Sequence, residues 1–583
     1  MTIKEVLSTF DQVERKGYDY HEILGALSSV DEEEKAKPEF RYEALAFRLV
    51  PSSGDNPWGF YFGPQFTFED KDGNPVYDPD ITEITPDAIL YWETRYKECG
   101  NPLLVSRYAG LVWDFKQKIA HQAYSPDLYR SYVDSMLELC NGDYCSHPVI
   151  TTNNLERLFV IARGQEPDLQ LVKDAYNAFE SRHAKDGTVR YWASQFLLMI
   201  DNRKKFSIEE IESLVKKHED RLARLSTPEE GRELNPWNVK SQADLLCQYY
   251  NSTQKKDDIK RVVNVVEKAF LDESVSLSAL QLMGNLEQIY QMYRHYGLES
   301  EATRLSVEIQ KVGAKAKEEM QAHQMEYEIP QEVNDQADEM FGDKAESNDE
   351  RWSNFAIYFI PRRLNEEVRL KELAKHYPFR FMMGTNMMDA KGRPMSYVGS
   401  YESDPEGQLI LHITQKMNLE IHFLYMAINR LLNTGTLTVD EVMNKFIIPC
   451  PLFEEDRYEI IKEALGYLLD AKYTLFCHLI VPQIENALCN LVEMSGSSVI
   501  KPQRQGKGFQ LRTLDDLLRE KAVSDAFTED GAYYLRLVLT DQRAMNIRNL
   551  LCHGILSPVH FTSGAAAWLL HVLVMIGMVR KTQ

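Results

Sequence analysis

Three observations predict a mainly α-helical protein. Apolar residues recur with the helical period from Thr85 to about residue 325, and again from about Glu455 to the C-terminus. The periodic segments are joined by short polar turns, as in arrays where neighbouring helices bury one another. Helix punctuation is legible near the end of the chain, where Gly554 stands just past one helix and Ser557-Pro558 opens the next.

The first forty residues read as helical, and the run Asp31-Glu32-Glu33-Glu34 as a solvated face. Residues 51–80 break the pattern with glycines, prolines, aromatics and an Asp72-Gly73 pair, which predicts a long ordered loop or a small hairpin. Helices follow at Pro86–Cys99, Pro102–Ala120, Leu128–Cys140 and Asn153–Ala162, so 1–150 is expected to be an N-terminal helical domain and 151–325 a helical-repeat-like array. Within that array Ile259–Leu271, Leu277–His295 and Ser300–Val312 are spaced in a way loosely similar to tetratricopeptide repeats. The consensus tryptophan, glycine and tyrosine do not recur at a fixed period, and a generic helical scaffold is the preferred reading.

Residues 326–352 turn acidic and polar, which predicts a linker. Residues 353–454 read as a mixed, mostly helical connecting domain, with stretches of strand-like or short buried character at Phe355–Ile360 and Phe379–Met383, helices at Leu409–Leu432 and Val439–Phe446, and a break at Pro449 and Pro451. The last part, 455–583, is expected to be a compact helical bundle of Tyr458–Leu469, Ala471–Met494, Thr513–Lys521, Gly531–His553 and Pro558–Val579, with a turn-rich loop at Ser495–Gly508.

At 583 residues the chain exceeds one hydrophobic core, and 44% hydrophobic with 11% aromatic residues is enough to fill several. The formal net charge of −22 argues against a protein that coats DNA or an anionic membrane, so a nucleic acid would need a locally basic site. Eight scattered cysteines and an N-terminus without a basic start or apolar run fit a cytoplasmic protein. Phe561–Val579 is nearly uncharged and about long enough to cross a bilayer. His571 at its middle favours a core or interface helix instead, and no membrane partner is expected.

Chemistry concentrates in Asn546-Ile547-Arg548-Asn549-Leu550-Leu551-Cys552-His553-Gly554. On an ideal helix Asn546, Asn549 and His553 share one face, opposite Ala544, Leu550 and Leu551. Arg548 is five residues from His553, about 140° around the axis, so one straight helix does not aim both groups at one atom. Two copies of the helix facing each other across a symmetric interface could, as could a distortion of the helix or an arginine long enough to reach round.

The spacing Arg548-Asn549-x-x-x-His553, late in a small helical bundle, is similar to the motif of HEPN domains, many of which are metal-independent endoribonucleases. The wider segments Leu479–Leu488 and Arg548–Gly554 resemble large bacterial helical proteins that end in such a domain. This resemblance covers about the last 130 residues. It implies cleavage of RNA by attack of the ribose 2′-hydroxyl on the adjacent phosphate, leaving a 2′,3′-cyclic phosphate, with no metal and no cofactor. His553 would exchange protons and Arg548 would stabilise the charge growing on phosphorus. Asn549 would orient the histidine or bind phosphate. Glu485, on the preceding long helix, would orient Arg548 or His553, or form a structural ion pair.

Lys501, Arg504, Lys507 and Arg512 concentrate positive charge in one loop and, with Asn546, are the candidate RNA contacts; a solvated loop is the bland alternative. The helix geometry predicts a homodimer through the bundle, and the resemblance implies a conditional role, such as phage defence, controlled by the N-terminal helical part, with a protein partner on the helical array as a further expectation. The competing reading is a non-catalytic scaffold that dimerises and binds RNA, nucleotide or protein. Cys140, Cys145 and His147 fit no standard zinc spacing, and no metal is expected. His478, on an apolar helix, reads as a core histidine.

Overall fold

The computed structural model describes residues 1–52, 56–71, 74–228, 234–273, 277–320, 328–389, 391–503, 507–556 and 562–581. Among them, 27 α-helices stand against four two-stranded antiparallel ladders, so the chain is mainly α. It forms two compact units, Met1–Ser276 with Gln288–Ala302, and Leu277–Glu287 with Thr303–Gln583.

The first unit starts with short helices at Ile3–Ser8, Tyr20–Leu27, Glu32–Lys35 and Pro38–Arg48. The loop expected at 51–80 contains two ladders, Val50–Pro51 with Phe62–Gly63 and Phe66–Glu69 with Pro75–Asp78; Asp72-Gly73 lies outside the described residues. The helical array then begins, and the chain writes its starts with one device. Pro86, Pro102, Pro148 and Pro236 each occupy a first helical position, where a missing N–H costs nothing. The residue before each, Thr85, Asn101, His147 and Asn235, accepts a backbone N–H of the first turn. His147 is therefore a helix cap in this fold.

Polar groups buried in this unit tie its elements together. Glu43, fully buried, accepts from Arg95 Nε (2.8 Å) and from the hydroxyls of Tyr91 (2.8 Å) and Tyr108 (2.6 Å), joining the Pro38–Arg48 helix to Pro86–Glu98 and Pro102–Phe115. Among the described residues no carboxylate pairs with Arg107. Its Nε donates to the Ala46 carbonyl (2.6 Å) and its guanidinium lies over the rings of Tyr20 and Phe62.

The second unit has one continuous core that runs from Ala337 to Ile576. Several sequence expectations are corrected here. The stretch 326–352 is not a linker from residue 331 onward: it holds helices Gln331–Phe341 and Asn348–Tyr358, and Ala337, Phe341 and Trp352 sit in the core. Phe355–Ile360 is the end of the second of these helices, and Phe379–Met383 is a short helix, Pro378–Met382, so neither is a strand. The strands of this region are Thr385–Met388 and Pro394–Val398. Because the core is shared, the bundle of 455–583 packs with the segment before it as one body. Trp352 is 1% exposed against Phe446 and Phe355, so Trp352→Ala is expected to cost about 3–5 kcal/mol in urea unfolding.

The helix Tyr458–Leu469 has the expected limits, and Tyr473–Met494 starts two residues later than expected. Among the described residues, Tyr473–Met494 is the one helix long and apolar enough to cross a membrane by length and composition. Its Phe476, Cys477, Ile480, Ile484 and Leu488 belong to the core. The segment weighed as a membrane span is the helix Ser563–Ile576, whose residues from Ala566 to Ile576 are all buried. His571 is at its centre, 0% exposed, with Nδ1 2.6 Å from the Tyr534 hydroxyl. Among the described residues the buried histidines are His571 here and His218 in the first unit; His478 is exposed, a correction to its reading as a core residue.

Candidate functional site

The expected helix Gly531–His553 does not exist as one piece. The chain forms Lys521–Leu539, with a kink at Thr528, then a connecting turn, then the six-residue helix Ile547–Cys552. The break has local causes. Asp541 takes the Arg543 backbone N–H (3.0 Å) and its side chain (3.1 and 2.9 Å), a turn that competes with the helical ladder. Asn546 then adopts a left-handed conformation (φ 51°), which asparagine tolerates better than most residues. The motif is thus presented on a short helix turned away from the preceding one.

Four of the sequence-predicted residues are brought together. Arg548 donates from Nε to Glu485 Oε2 (2.9 Å) and from Nη2 to Oε1 (2.8 Å), a two-pronged pair to the Tyr473–Met494 helix. Its Nη1 donates to Asn549 Oδ1 (3.0 Å). The amide of Asn549 donates in turn to Asn546 Oδ1 (2.8 Å) and to the Thr540 carbonyl (3.1 Å). Asn546 is 3% exposed, so its side chain is an internal brace; as a candidate RNA contact it is not accessible.

The chain Glu485–Arg548–Asn549–Asn546 fixes the arginine from both sides. The Arg548–Glu485 pair is about a quarter exposed on each side, and Glu485→Ala is expected to cost about 1–3 kcal/mol by leaving the guanidinium without its partner. A melting curve measures this, with Glu485→Gln, which can still accept, falling between.

His553 is not part of that chain. It is the C-cap residue, exposed, with its backbone N–H on the Asn549 carbonyl (3.0 Å). Gly554 follows at φ +62° and Ile555 N–H returns to the Leu550 carbonyl (2.9 Å), the left-handed helix stop that glycine makes cheap. Among the described residues no hydrogen bond joins Arg548 to His553, and the two lie at opposite ends of a six-residue helix.

The basic loop is a hairpin, Ile500–Pro502 with Phe509–Leu511. Two of its cations are engaged within the chain. Lys501 pairs with Asp516 (2.6 Å), and hydrogen bonds from Lys501 and Thr513 hold that carboxyl down at about 2. Arg512 pairs with Glu520 (2.6 Å) and donates to the Ser498 carbonyl (3.0 Å). Lys507 is exposed, and Arg504 lies outside the described residues.

Sequence reasoning missed Thr540, whose carbonyl receives Asn549 and whose hydroxyl donates to Asp515 (3.0 Å). The signal was the Thr540-Asp541 pair interrupting an apolar run. It also missed Cys489 and Cys552, which stand one helical turn after Glu485 and Arg548 respectively. Partial desolvation raises both thiols above their ordinary range, although Cys552 is exposed, so neither is prepared as a nucleophile. Compared with known protein families, curated proteins and solved structures, the chain matches none.

Proposed function

We propose that the protein is a metal-independent endoribonuclease of the HEPN type. The observation that carries this reading is the pairing of a braced cation with an exposed histidine on one short helix: Arg548 is held by Glu485 and Asn549, and His553 stands free of that chain at the helix end. A guanidinium fixed before substrate arrives stabilises the dianionic phosphorane without reorganising. Three of its five N–H groups are engaged within the chain, which leaves two for a phosphate oxygen. His553 exchanges the protons, taking one from the 2′-hydroxyl or giving one to the 5′-oxygen that leaves, and the products are a 2′,3′-cyclic phosphate and a 5′-hydroxyl. Asn549 acts as a positioning residue. The work of binding RNA to a chain of net charge −22 falls to Lys507 and the neighbouring loop cations, in a homodimer through the C-terminal bundle.

The test is total RNA incubated with the purified protein in a chelator, beside His553→Ala and Arg548→Ala. Cleavage that is absent from the wild type, or unchanged in both variants, removes the proposal. The second reading, a helical scaffold that binds without cutting, is favoured by the same Arg548–Glu485 pair taken as a purely structural ion pair. That reading expects both variants to lose stability and RNA to stay intact throughout.

A further inference from the structure

A second candidate site lies in the same unit, away from the motif. Glu366, 2% exposed, is a buried carboxylate held by three groups: Lys416 Nζ (2.7 Å), Arg369 Nη1 (3.2 Å) and His412 Nε2 (3.2 Å). It forms a bar between the helix Arg363–His376 and the helix Pro405–Asn433. Two cavities, of about 480 and 710 Å³, lie against this bar and share Glu366, Arg369 and Lys416 as a wall. Both volumes are in the range of about 300–1,000 Å³ that small-molecule sites occupy.

The two halves differ in chemistry. The smaller is mixed, with Asn354, Arg362, Asn365 and Glu420 beside Met340, Ile357 and Tyr358 among its walls. The larger is walled by Val368, Leu373, Tyr377 and Leu419 together with the stems of Arg369 and Arg380. Val368 and Tyr377 are each 59% exposed and Leu419 is 69% exposed, so nothing in the described chain covers this wall.

Charge distinguishes the pair of cavities from the rest of the chain. Arg362, Arg369, Arg380 and Lys416 line it, against Glu366, Glu420 and Glu372, and Glu372 is taken by Lys375 at 2.9 Å. A surplus of cations on a chain of net charge −22 is a local reversal of sign. Lys416 also lies 3.6 Å from Glu420, whose burial raises it above the usual carboxylate range.

We propose that this double groove binds an anionic amphiphile, with its acidic head against Arg362, Arg369 and Lys416 and its alkyl or aromatic body along Val368, Leu373, Tyr377 and Leu419. The head replaces water around cations that already stand in place, and the body covers apolar surface that the chain leaves open. A cationic or neutral amphiphile of the same length has the second contribution without the first.

The full-length protein would be titrated with 1-anilinonaphthalene-8-sulfonate, an aromatic anion whose fluorescence rises on apolar contact. Displacement by octanoate, decanoate and dodecanoate, all below their micellar concentrations, would then be followed. Affinity should rise about fourfold per added methylene while the groove fills. Dodecyltrimethylammonium should bind at least about tenfold more weakly than dodecanoate, because it meets like charge. Leu419→Glu, at an exposed position, should weaken dodecanoate by about tenfold or more with the melting temperature unchanged, and Arg369→Gln should weaken it as well, with a lower melting temperature because Arg369 also holds the buried Glu366. Absence of displacement, equal affinity for the cationic amphiphile, or wild-type affinity in both variants would overturn the assignment. None of these outcomes depends on RNA cleavage.

Discussion

His553→Ala is expected to slow RNA cleavage by about 10²–10⁴-fold in chelator, the range that a positioned acid or base contributes. Arg548→Ala is expected to slow it by about 10²–10³-fold, through the lost stabilisation of the phosphorane. The two variants should differ in what else they change. His553 is exposed at a helix end, so its removal leaves the melting temperature nearly as it was. Arg548 is the partner of Glu485, so its removal also lowers stability. Arg548→Lys separates the effects, since lysine keeps the charge but lacks the planar fork that meets Glu485 at 2.9 and 2.8 Å. That variant should stay folded and remain slow. Equal cleavage by wild type and His553→Ala would end the catalytic reading of the motif.

The second large effect is a loss of stability in acid. Burial pushes both His218 and His571 down to about 3, from an ordinary value of 6.5. The sign follows from proton counting. Between pH 6.5 and 3 the unfolded chain holds a proton on each of these histidines and the folded chain does not, so unfolding takes up protons and stability falls with pH. The contribution is fully present above pH 6.5 and is lost toward pH 3. By pH 4.5 each histidine is expected to cost on the order of 2–3 kcal/mol.

Other groups titrate in the same window, among them the buried Glu43, whose burial raises it and works in the opposite direction. Single variants isolate the histidines. His571→Gln should be less stable than wild type at pH 8, where the contact to Tyr534 is altered, and the gap should narrow as the pH falls toward 4.5. His218→Gln should behave likewise in the first unit, where Gln242 faces the ring. Urea unfolding at a series of pH values reads both, and a gap that stays constant would mean that the fold does not depress the histidines.

Much of the helical order was legible because it is written locally. A capping residue followed by proline marks four starts in the array, and the apolar period between Tyr458 and Leu469 places that helix to the residue. The acidic stretch misled because composition was weighed above period. Val333, Ala337, Met340 and Phe341 recur at helical spacing inside it, and all four pack on the core. The break before the motif was hidden for the opposite reason, since the apolar pattern continues through Ala544 and Ile547. What stops the helix is the Asp541 turn and the left-handed Asn546, short-range features that the apolar period does not register.

The site divides in the same way. Glu485 and Arg548 were picked out as an acid and a cation on neighbouring helices, and they meet. The shared face of Asn546, Asn549 and His553 assumed one straight helix; the fold keeps the Asn546–Asn549 contact at 2.8 Å and leaves His553 outside it. The loop cations looked unrelieved because their acidic partners, Asp516 and Glu520, come later in the chain than the loop itself.

The central claim is that one active site needs Arg548 and His553 from two chains, since one chain holds them at opposite ends of a short helix with the arginine turned to Glu485. Mixing the Arg548→Ala protein with the His553→Ala protein, after dissociation and reassembly, tests it most directly. In a symmetric dimer half of the reassembled pairs carry one of each chain and each such pair has one intact site, so activity should return to about a quarter of wild type. A mixture as inactive as its two components, or a wild-type monomer that cuts RNA by itself, would contradict the account.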